Sequence, residues 1–275
     1  MKFTSSITML ILSFAFCSAQ ELTDKFKHKA TYEMTWQIDS TDTESVQSET
    51  MIFFSGGGQS TFSSEGQHIG DSIQKAYKKL ERTPQSFSEM RSKIPKTEFN
   101  YYITKDLASR EVSYREEIVR DYYEYTEDFS NIDWRILPET KQIAGFAVQK
   151  AKTSYAGRHY TAWFTTEIPI SDGPYKFNGL PGLIVRIADE KKFYVFELTG
   201  FKVLKDPVFD TQANEEYLET DKSSFLEIKE DYNANPIGAM EQTGISFQFE
   251  PGQKEKLEKE RRARLKKENN PIELE

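Results

Sequence analysis

The chain has 275 residues, a formal net charge of −8 at pH 7 and a sequence pI near 5.2. An acidic balance excludes a protein that binds nucleic acid by neutralising phosphates, and the length allows one large domain or two small ones. Aromatic residues make up 13% of the chain and are mostly Phe and Tyr, which favours β-strands over disorder.

The first nineteen residues have the pattern of a secretory signal peptide. A basic start at Lys2 precedes an apolar run over residues 7–16, and small residues end the segment at Ala19. The apolar run is too short to span a bilayer, which takes about 20 residues. We expect cleavage after Ala19 and an exported protein, periplasmic or secreted. The alternative is a lipid anchor at Cys17, although Phe16 is a poor residue to precede it.

Cys17 is the only cysteine, so cleavage after Ala19 leaves no thiol in the mature chain. An exported protein usually has access to disulfides, but here none can form. Cysteine nucleophiles and thiolate metal sites are excluded for the same reason. No second apolar run reaches membrane-spanning length, so the sequence predicts no transmembrane segment.

Strand patterns dominate the mature chain. Residues 30–38 alternate, with Tyr32, Met34, Trp36 and Ile38 on one side, as in a half-buried strand. Comparable runs predict about ten strands in all: 50–54, 59–63, 99–104, 111–115, 118–125, 133–137, 143–151, 158–164, 183–187 and 192–198. Most connections between them are too short for parallel crossovers. A further strand is predicted over residues 244–249.

Three segments have helical patterns. Residues 71–82 begin at a candidate N-cap, Asp71, and are followed by Pro84, which should end the helix and open a surface loop over residues 83–97. Residues 222–230 predict a short helix capped by Ser223 or Ser224. Residues 254–268 predict a charged helix with Glu–Lys and Glu–Arg pairs four residues apart.

These patterns predict a mainly β fold of the β-rich α+β class. Its core would be a curved antiparallel meander sheet, at most a half-open barrel, with one early helix and a charged C-terminal helix. We divide the chain into a signal peptide over residues 1–19, a single β-rich domain over 20–250, and a charged helical tail over 251–275. The tail ends in Asn270-Pro-Ile-Glu-Leu274.

Residues 167–188 contain the densest group of prolines and glycines in the chain. Within it, Pro181 suits the second position of a type II turn and Gly182 the third, where φ is positive. A phosphate-binding loop would be followed by Lys-Ser/Thr and a helix, whereas a strand-like run begins here at Leu183. The pattern therefore predicts a structural turn.

The same stretch resembles the GLPGLI family, exported proteins of unknown function found mostly in Bacteroidota. The resemblance rests on Gly145-Phe146, Gln149-Lys-Ala151, Gly157-Arg158, Trp163, Ile168-Pro169, Lys176-Phe177 and the motif residues Gly173, Pro174, Gly179, Leu180, Pro181, Gly182, Leu183 and Ile184. Family members often carry a cysteine at the position of Val148. The resemblance implies an envelope or secreted protein whose partner would be an outer-membrane receptor or another envelope protein. It implies no catalytic residue.

No pattern of catalytic or metal-binding residues is present. His28, His68 and His159 are not spaced as metal ligands, and no nucleophile elbow accompanies the glycine run at 56–58. We therefore predict no metal and no cofactor. Glycosidase chemistry needs two carboxylates at a fixed separation. Glu167, Asp172 and Asp189 flank the proline-rich stretch, but their spacing does not show whether two converge, so the catalytic residues, if any, are unassigned.

One group of side chains is a candidate ligand site, because aromatic faces beside a cation can hold a sugar, a peptide or an aromatic ligand. Its members are Arg158, Trp163, Tyr175, Lys176 and Phe177. The alternative is that Trp163 and Phe177 pack in the core and that Arg158 pairs with a carboxylate.

The sequence thus favours a non-catalytic exported module that binds an apolar, peptide or glycan ligand or an envelope partner. The alternatives are a hydrolase whose carboxylates converge only in the fold, and a structural accessory of an outer-membrane complex. The interior of the sheet distinguishes them. An apolar concavity favours ligand binding, two facing carboxylates favour hydrolysis, and a filled core favours an accessory role.

Overall fold

The computed structural model describes residues 25–80, 83–129, 132–209 and 215–275. The predicted signal peptide and Cys17 lie outside these residues. The strands are β1 (Lys25–Gln37), β2 (Val46–Gly56), β3 (Gln59–Ser64), β4 (Tyr101–Asp106), β5 (Glu111–Ile118), β6 (Asp121–Asp128), β7 (Arg135–Ile143), β8 (Phe146–Tyr155), β9 (Arg158–Thr165), β10 (Leu183–Asp189), β11 (Tyr194–Phe209) and β12 (Leu218–Glu219). The helices are α1 (Glu65–Tyr77), α2 (Pro84–Lys93), α3 (Lys222–Ala234), α4 (Pro236–Gln242) and α5 (Gln253–Leu265).

All twelve strands form one sheet in the order β12-β6-β5-β4-β3-β2-β1-β11-β10-β9-β8-β7. Every pairing is antiparallel except that of β12 with β6. Strands β7 and β12 are the two edges, so the sheet is open and does not close into a barrel. The predicted fold class is confirmed. In the described part of the chain, no helix is long and apolar enough to cross a membrane.

The curvature of the sheet follows from contacts between distant strands. Strands β4 and β8 are seven positions apart in the sheet, which in a flat sheet would separate them by roughly 34 Å. Three ring contacts connect them instead. The ring centroids of Tyr101 and Tyr175 lie 6.1 Å apart, those of Tyr175 and Phe177 6.2 Å, and those of Phe177 and Tyr155 5.6 Å. The sheet therefore bends around the segment that carries Tyr175 and Phe177.

Period-two alternation assigns the two faces, as predicted. One row of side chains across five strands is buried on the concave face: Ala151, Ala162, Ile187, Phe196 and Met34. The row one residue away lies on the convex face and is half-buried or exposed: Lys150, Trp163, Arg186, Glu197 and Glu33. A one-residue shift in register would exchange these rows, so the hydrophobic pattern fixes the register.

The concave face is filled by two segments of the chain itself. The first is residues 166–182 between β9 and β10, which we call the plug segment; its Tyr175, Phe177 and Leu180 are buried. The second is residues 269–275, which we call the tail segment; its Asn270 is buried and its Ile272 packs against the core. The core of the protein therefore lies between the sheet and these two segments.

The plug segment folds back through very tight turns. Backbone N–H groups donate to the carbonyl two residues earlier at Ile170, Asp172 and Gly182, over 2.7–2.8 Å. Pro169 and Pro181 are central residues of two of these turns, where their fixed φ suits the geometry. At Gly182 φ is 152°, and a Cβ there would lie 2.0 Å from the Thr165 carbonyl oxygen. The predicted turn is present, but it is a three-residue turn and not a type II turn. Glycine is required at position 182 because a Cβ atom would overlap the Thr165 carbonyl.

Three helices begin at residues other than those predicted, and in two of them a proline stands in the first turn. Helix α1 begins at Glu65, where the Ser64 side chain accepts from Gln67 N, and not at Asp71. The predicted loop over residues 83–97 contains α2, because Thr83 caps a helix that has Pro84 in its first turn. The unpredicted α4 repeats the pattern with Asn235 and Pro236. In both, proline begins a helix.

Three smaller predictions are also corrected. Helix α3 is present but is capped by Asp221 and extends to Ala234. Residues 244–249 form no strand. Strand β7 continues through Pro138, with its register irregular between Ile136 and Thr140, because an edge strand tolerates a missing N–H. The charged helix is confirmed as α5.

Gly182→Ala should lower the free energy of unfolding by more than about 3 kcal/mol, because the new Cβ would force the backbone of β9 or the plug segment to move. Gly145→Ala is the matched control, since Gly145 also has positive φ but has open space around its Cα. It should cost about 1 kcal/mol. Urea unfolding measures both values, and equal losses would contradict the close approach at Gly182.

Candidate functional site

A buried ion pair joins the plug segment to the sheet. Lys105 of β4 is 0% exposed and pairs with Asp172, which is 5% exposed. The Lys105 Nζ also donates to the carbonyls of Gly173 at 2.8 Å and Phe177 at 3.2 Å, so its N–H groups have three acceptors. Ser60 Oγ donates to Asp172 Oδ2 at 2.5 Å. Burial lowers the pKa of Lys105, and attraction to Asp172 opposes that shift.

Four charged side chains form a second group, which we call the four-charge cluster: Lys176, Lys222, Glu127 and Glu273. Glu273 lies 2.8 Å from Lys176 Nζ and 2.7 Å from Lys222 Nζ. Glu127 contacts Lys176 and lies 3.3 Å from Lys222 Nζ. Burial by itself would raise the pKa of Glu273, but attraction to Lys176 and hydrogen bonds from both lysines bring that pKa below its usual value.

Tyr175, which precedes Lys176, also contacts this cluster. Its hydroxyl donates to Glu273 Oε1 at 2.6 Å. Tyr175 has φ of 54°, a left-handed conformation that a bulky residue rarely adopts. The conformation places its ring in the core and its hydroxyl at the tail segment. It therefore holds the plug and tail segments together.

Arg158 of β9 holds the tail segment from the other side. Its guanidinium donates to Asp189 at 3.3 Å, to Asn270 Oδ1 at 2.7 Å and to the Ile272 carbonyl at 3.0 Å. Asn270 in turn donates to the Gln37 carbonyl at 2.6 Å and accepts at its own carbonyl from the Tyr194 hydroxyl at 2.6 Å. The side chain and the carbonyl of Asn270 thus form hydrogen bonds with β1, β9 and β11.

The five predicted ligand-binding residues do not share one surface. Tyr175, Lys176 and Phe177 lie buried on the plug segment, and Arg158 is buried against the tail segment. Trp163 lies on the convex face, with Lys141 Nζ 4.0 Å from its ring centroid. Arg158, Tyr175 and Phe177 could contact a ligand only if the plug or tail segment moved, whereas Lys176 lines a cavity. Their role in binding remains a prediction.

The carboxylates that flank the plug segment do not converge either. Glu167 is exposed and accepts from Ala147 N at 2.8 Å, Asp172 pairs with Lys105, and Asp189 pairs with Arg158. The carboxylates that come together, Glu127 and Glu273, were missed by the sequence analysis. Glu273 belongs to the terminal Asn-Pro-Ile-Glu-Leu run, but nothing in the sequence around Glu127 marks it.

The described residues contain no group of three or more His, Cys, Asp or Glu side chains placed to hold a metal ion. His159 lies on the convex face, with its Nδ1 2.7 Å from Ser154 Oγ. Neither finding assigns a catalytic role.

Two cavities open near these groups. One of about 290 Å³ lies beside the four-charge cluster and is lined by Glu127, Lys176, Asn178 and Tyr155, among others. A larger one of about 460 Å³ lies between the sheet and helices α3 and α5; we call it the helix-side cavity. Core residues form part of both walls, Val112 in the smaller cavity and Trp36 and Tyr194 in the larger one.

Comparison with known proteins gives a short family match and a shared fold. Residues 156–186 match a family described as "Protein of unknown function (Porph_ging)". No curated protein sequence matches the chain. The structure of PNGF-II in space group P21 is similar, with a TM-score of 0.52 and 16% identity over 74% of this chain and 33% of that one. Its structure in space group C2 gives a TM-score of 0.51 and 17% identity over 74% and 32%.

The chain therefore spans about a third of the length of PNGF-II. At this identity the likeness concerns the fold alone. The matched family segment includes β9, the whole plug segment with the run Gly179-Leu-Pro-Gly-Leu-Ile184, and the first four residues of β10.

Lys105→Met should lower the free energy of unfolding by about 3–5 kcal/mol, because Asp172 would remain buried without its counter-ion. Adding Asp172→Asn to Lys105→Met should restore more than about 1 kcal/mol of that loss, since the uncompensated charge is then removed. Chemical unfolding of the wild type, both single variants and the double variant measures this coupling.

Lys29→Met is the control for that cycle. Lys29 pairs with Glu65 at 3.3 Å, but both side chains are partly exposed, so its loss should cost at most about 1 kcal/mol. If the losses of unfolding free energy caused by Lys105→Met and Asp172→Asn were additive, the ion pair between Lys105 and Asp172 would be contradicted.

Proposed function

We propose that the protein is a non-catalytic exported module that acts through a ligand or partner bound outside the concave face of its sheet. The observation that supports this most is the filled concave face. Plug and tail segments occupy the space where a barrel-like binding protein would hold a ligand. This arrangement favours an accessory or surface-binding role over ligand binding in the interior.

The energetic cost of opening the filled concave face supports the same interpretation. Lys105, Arg158 and Lys176 are buried cations whose acceptors belong to the plug segment, the tail segment or the adjoining strands. A ligand that entered the concave face would have to remove these acceptors and leave buried charges unpaired, at several kcal/mol for each. An interior site would therefore have to replace each lost interaction.

Membership of the GLPGLI family is part of the proposal. The hexapeptide Gly179–Ile184 lies inside the stretch that matches a family of unknown function. In the fold, this hexapeptide forms the tight turn at Gly182 and the start of β10. Its role as a family signature is thus accounted for by packing. An outer-membrane receptor or another envelope protein is the proposed partner.

Hydrolysis is the second candidate, and the convergence of Glu127 and Glu273 is the observation that favours it. Glycoside hydrolysis requires one carboxyl group to stay protonated until it donates its proton. Here two lysines contact the pair, and the pKa of Glu273 is lowered. Both the ion pairs and the lowered pKa favour an ionised Glu273, which is unsuited to the acid role.

Wild-type protein and Glu127→Gln should both leave glycan and peptide libraries unchanged, as measured by mass spectrometry of the products. Glu127 is the informative choice because its side chain is 23% exposed and lines the smaller cavity, whereas loss of Glu273 would release the tail segment. Glu124→Gln is the control on the same strand, since Glu124 pairs with Arg115. Turnover by the wild type that Glu127→Gln abolishes and Glu124→Gln retains would support hydrolysis.

Export predicts a mature chain that begins at Gln20. Intact-mass and N-terminal analysis of protein recovered from the native envelope or medium should find residues 1–19 absent and no attached lipid. A lipid-modified N-terminus at Cys17 would establish the anchored alternative, and a full-length chain that starts at Met1 would contradict export by this signal.

A further inference from the structure

The sheet has two edge strands, β12 and β7, which differ in length. β12 has two residues, whereas β7 has nine, of which seven are exposed and two half-buried. No other described strand pairs with the outer side of β7. An unpaired edge presents backbone N–H and C=O groups to which a further strand can bond. The outer side of β7 is therefore a candidate surface for a partner.

The peptide groups of Thr140 and Gln142 point towards this free edge. A two-residue turn over 144–145 joins β7 to β8, so the residue pair next to the turn is hydrogen-bonded and the following pair, Gln142 with Ala147, is not. The Ala147 N–H agrees with this, since it donates to Glu167 at 2.8 Å and not to β7. Thr140 lies two residues from Gln142 in the strand, so its peptide groups face the same way.

The charges beside Thr140 make β7 complementary to itself. Glu139 and Lys141 are both exposed, and their side chains lie on the convex face, near Lys150 and Trp163 respectively. If two β7 strands pair antiparallel with Thr140 opposite Thr140, Glu139 of each copy stands opposite Lys141 of the other. Pairing centred on residue 139 would oppose two glutamates, and pairing centred on residue 141 two lysines, which destabilises a strand pair. Of these three registers, only the one centred on Thr140 pairs opposite charges.

The register centred on Thr140 also suits the backbone. The Thr140 N–H of each copy meets the Thr140 carbonyl of the other, and the Gln142 N–H meets the Pro138 carbonyl. That carbonyl faces the edge, because the neighbouring Leu137 carbonyl faces β8, where the Gln149 side chain donates to it at 2.8 Å. Pro138 has no N–H to leave unpaired, so it lies where it only has to accept.

We propose that two copies of this protein associate through antiparallel pairing of their β7 strands, centred on Thr140. The second copy is the occupant that the edge fits, because β7 offers to itself the opposite charge at residues 139 and 141 and an acceptor for each outward N–H. Such a contact is isologous, with the same residues on both sides, and it makes the two sheets continuous. Pairing of a single strand buries a small area, so the dimer should be weak and should form as the concentration rises. The inference goes beyond the proposed function and does not depend on it.

The test is sedimentation equilibrium of the purified protein at concentrations up to about 0.3 mM, where even a small interface should give dimers of the wild type. Glu139→Lys and Lys141→Glu each place like charges opposite one another, so each variant alone should dimerise at least about 10-fold more weakly. An equimolar mixture of the two variants should dimerise at least as strongly as the wild type, because one strand then carries only positive charge at these positions and the other only negative charge. Both side chains are exposed, so the melting temperatures should stay close to that of the wild type.

Lys152→Glu is the matched control. Lys152 is exposed and lies on β8, one strand in from the edge, so this variant should dimerise as the wild type does. The inference is overturned if the wild type stays monomeric at every concentration, which would leave the edge to a strand of a different protein. It is also overturned if the single variants dimerise as the wild type does, or if their mixture stays monomeric. These outcomes leave the non-catalytic proposal intact, since that proposal depends on the turnover assay.

Discussion

The ion pair between Lys105 and Asp172 is the interaction on which the rest of the structure depends. A sheet of twelve strands that bends without closing exposes a large concave face to water unless something fills it. The plug segment fills it, and Asp172 is the group that fixes this segment to β4. The aromatic contacts of Tyr175 and Phe177 follow from that attachment, because these residues come directly after it in the chain.

Placing charges in the core makes the fold cooperative. A buried cation stabilises only when all of its acceptors are in position, and otherwise it is costly. Lys105 needs the plug segment, Arg158 needs the tail segment, and Lys176 needs both β6 and the tail segment. The sheet, the plug segment and the tail segment therefore form one unit, joined by these buried ion pairs and hydrogen bonds. The helix-side cavity is lined both by residues of the sheet and its loops and by residues of α3 and α5.

Local patterns in the sequence predict the sheet, and contacts between distant residues determine the rest. The alternation of Tyr32, Met34 and Trp36 identified β1 and its buried face, because period two has few other interpretations. Pro84 is compatible with either the end or the first turn of a helix, and the capping box formed by Thr83 and Ser86 makes it the first turn of α2. Glu127 and Glu273 contact the same two lysines only because the tail segment returns to the sheet. No residue spacing near Glu127 or near Glu273 predicts that contact. The same holds for the buried lysines, which look like surface residues in the sequence.

The tail segment also determines the order in which the chain can complete its structure. Residues 269–275 follow every described strand, so the acceptors that this segment supplies to Arg158 and Lys176 are the last to be added to the chain. Without the tail segment, Arg158 keeps only Asp189 and Lys176 keeps only Glu127 as carboxylate partners, so each buried cation lacks part of its acceptors. The tail segment therefore completes the acceptor sets of two buried cations, and these sets are complete only when it is docked against the sheet.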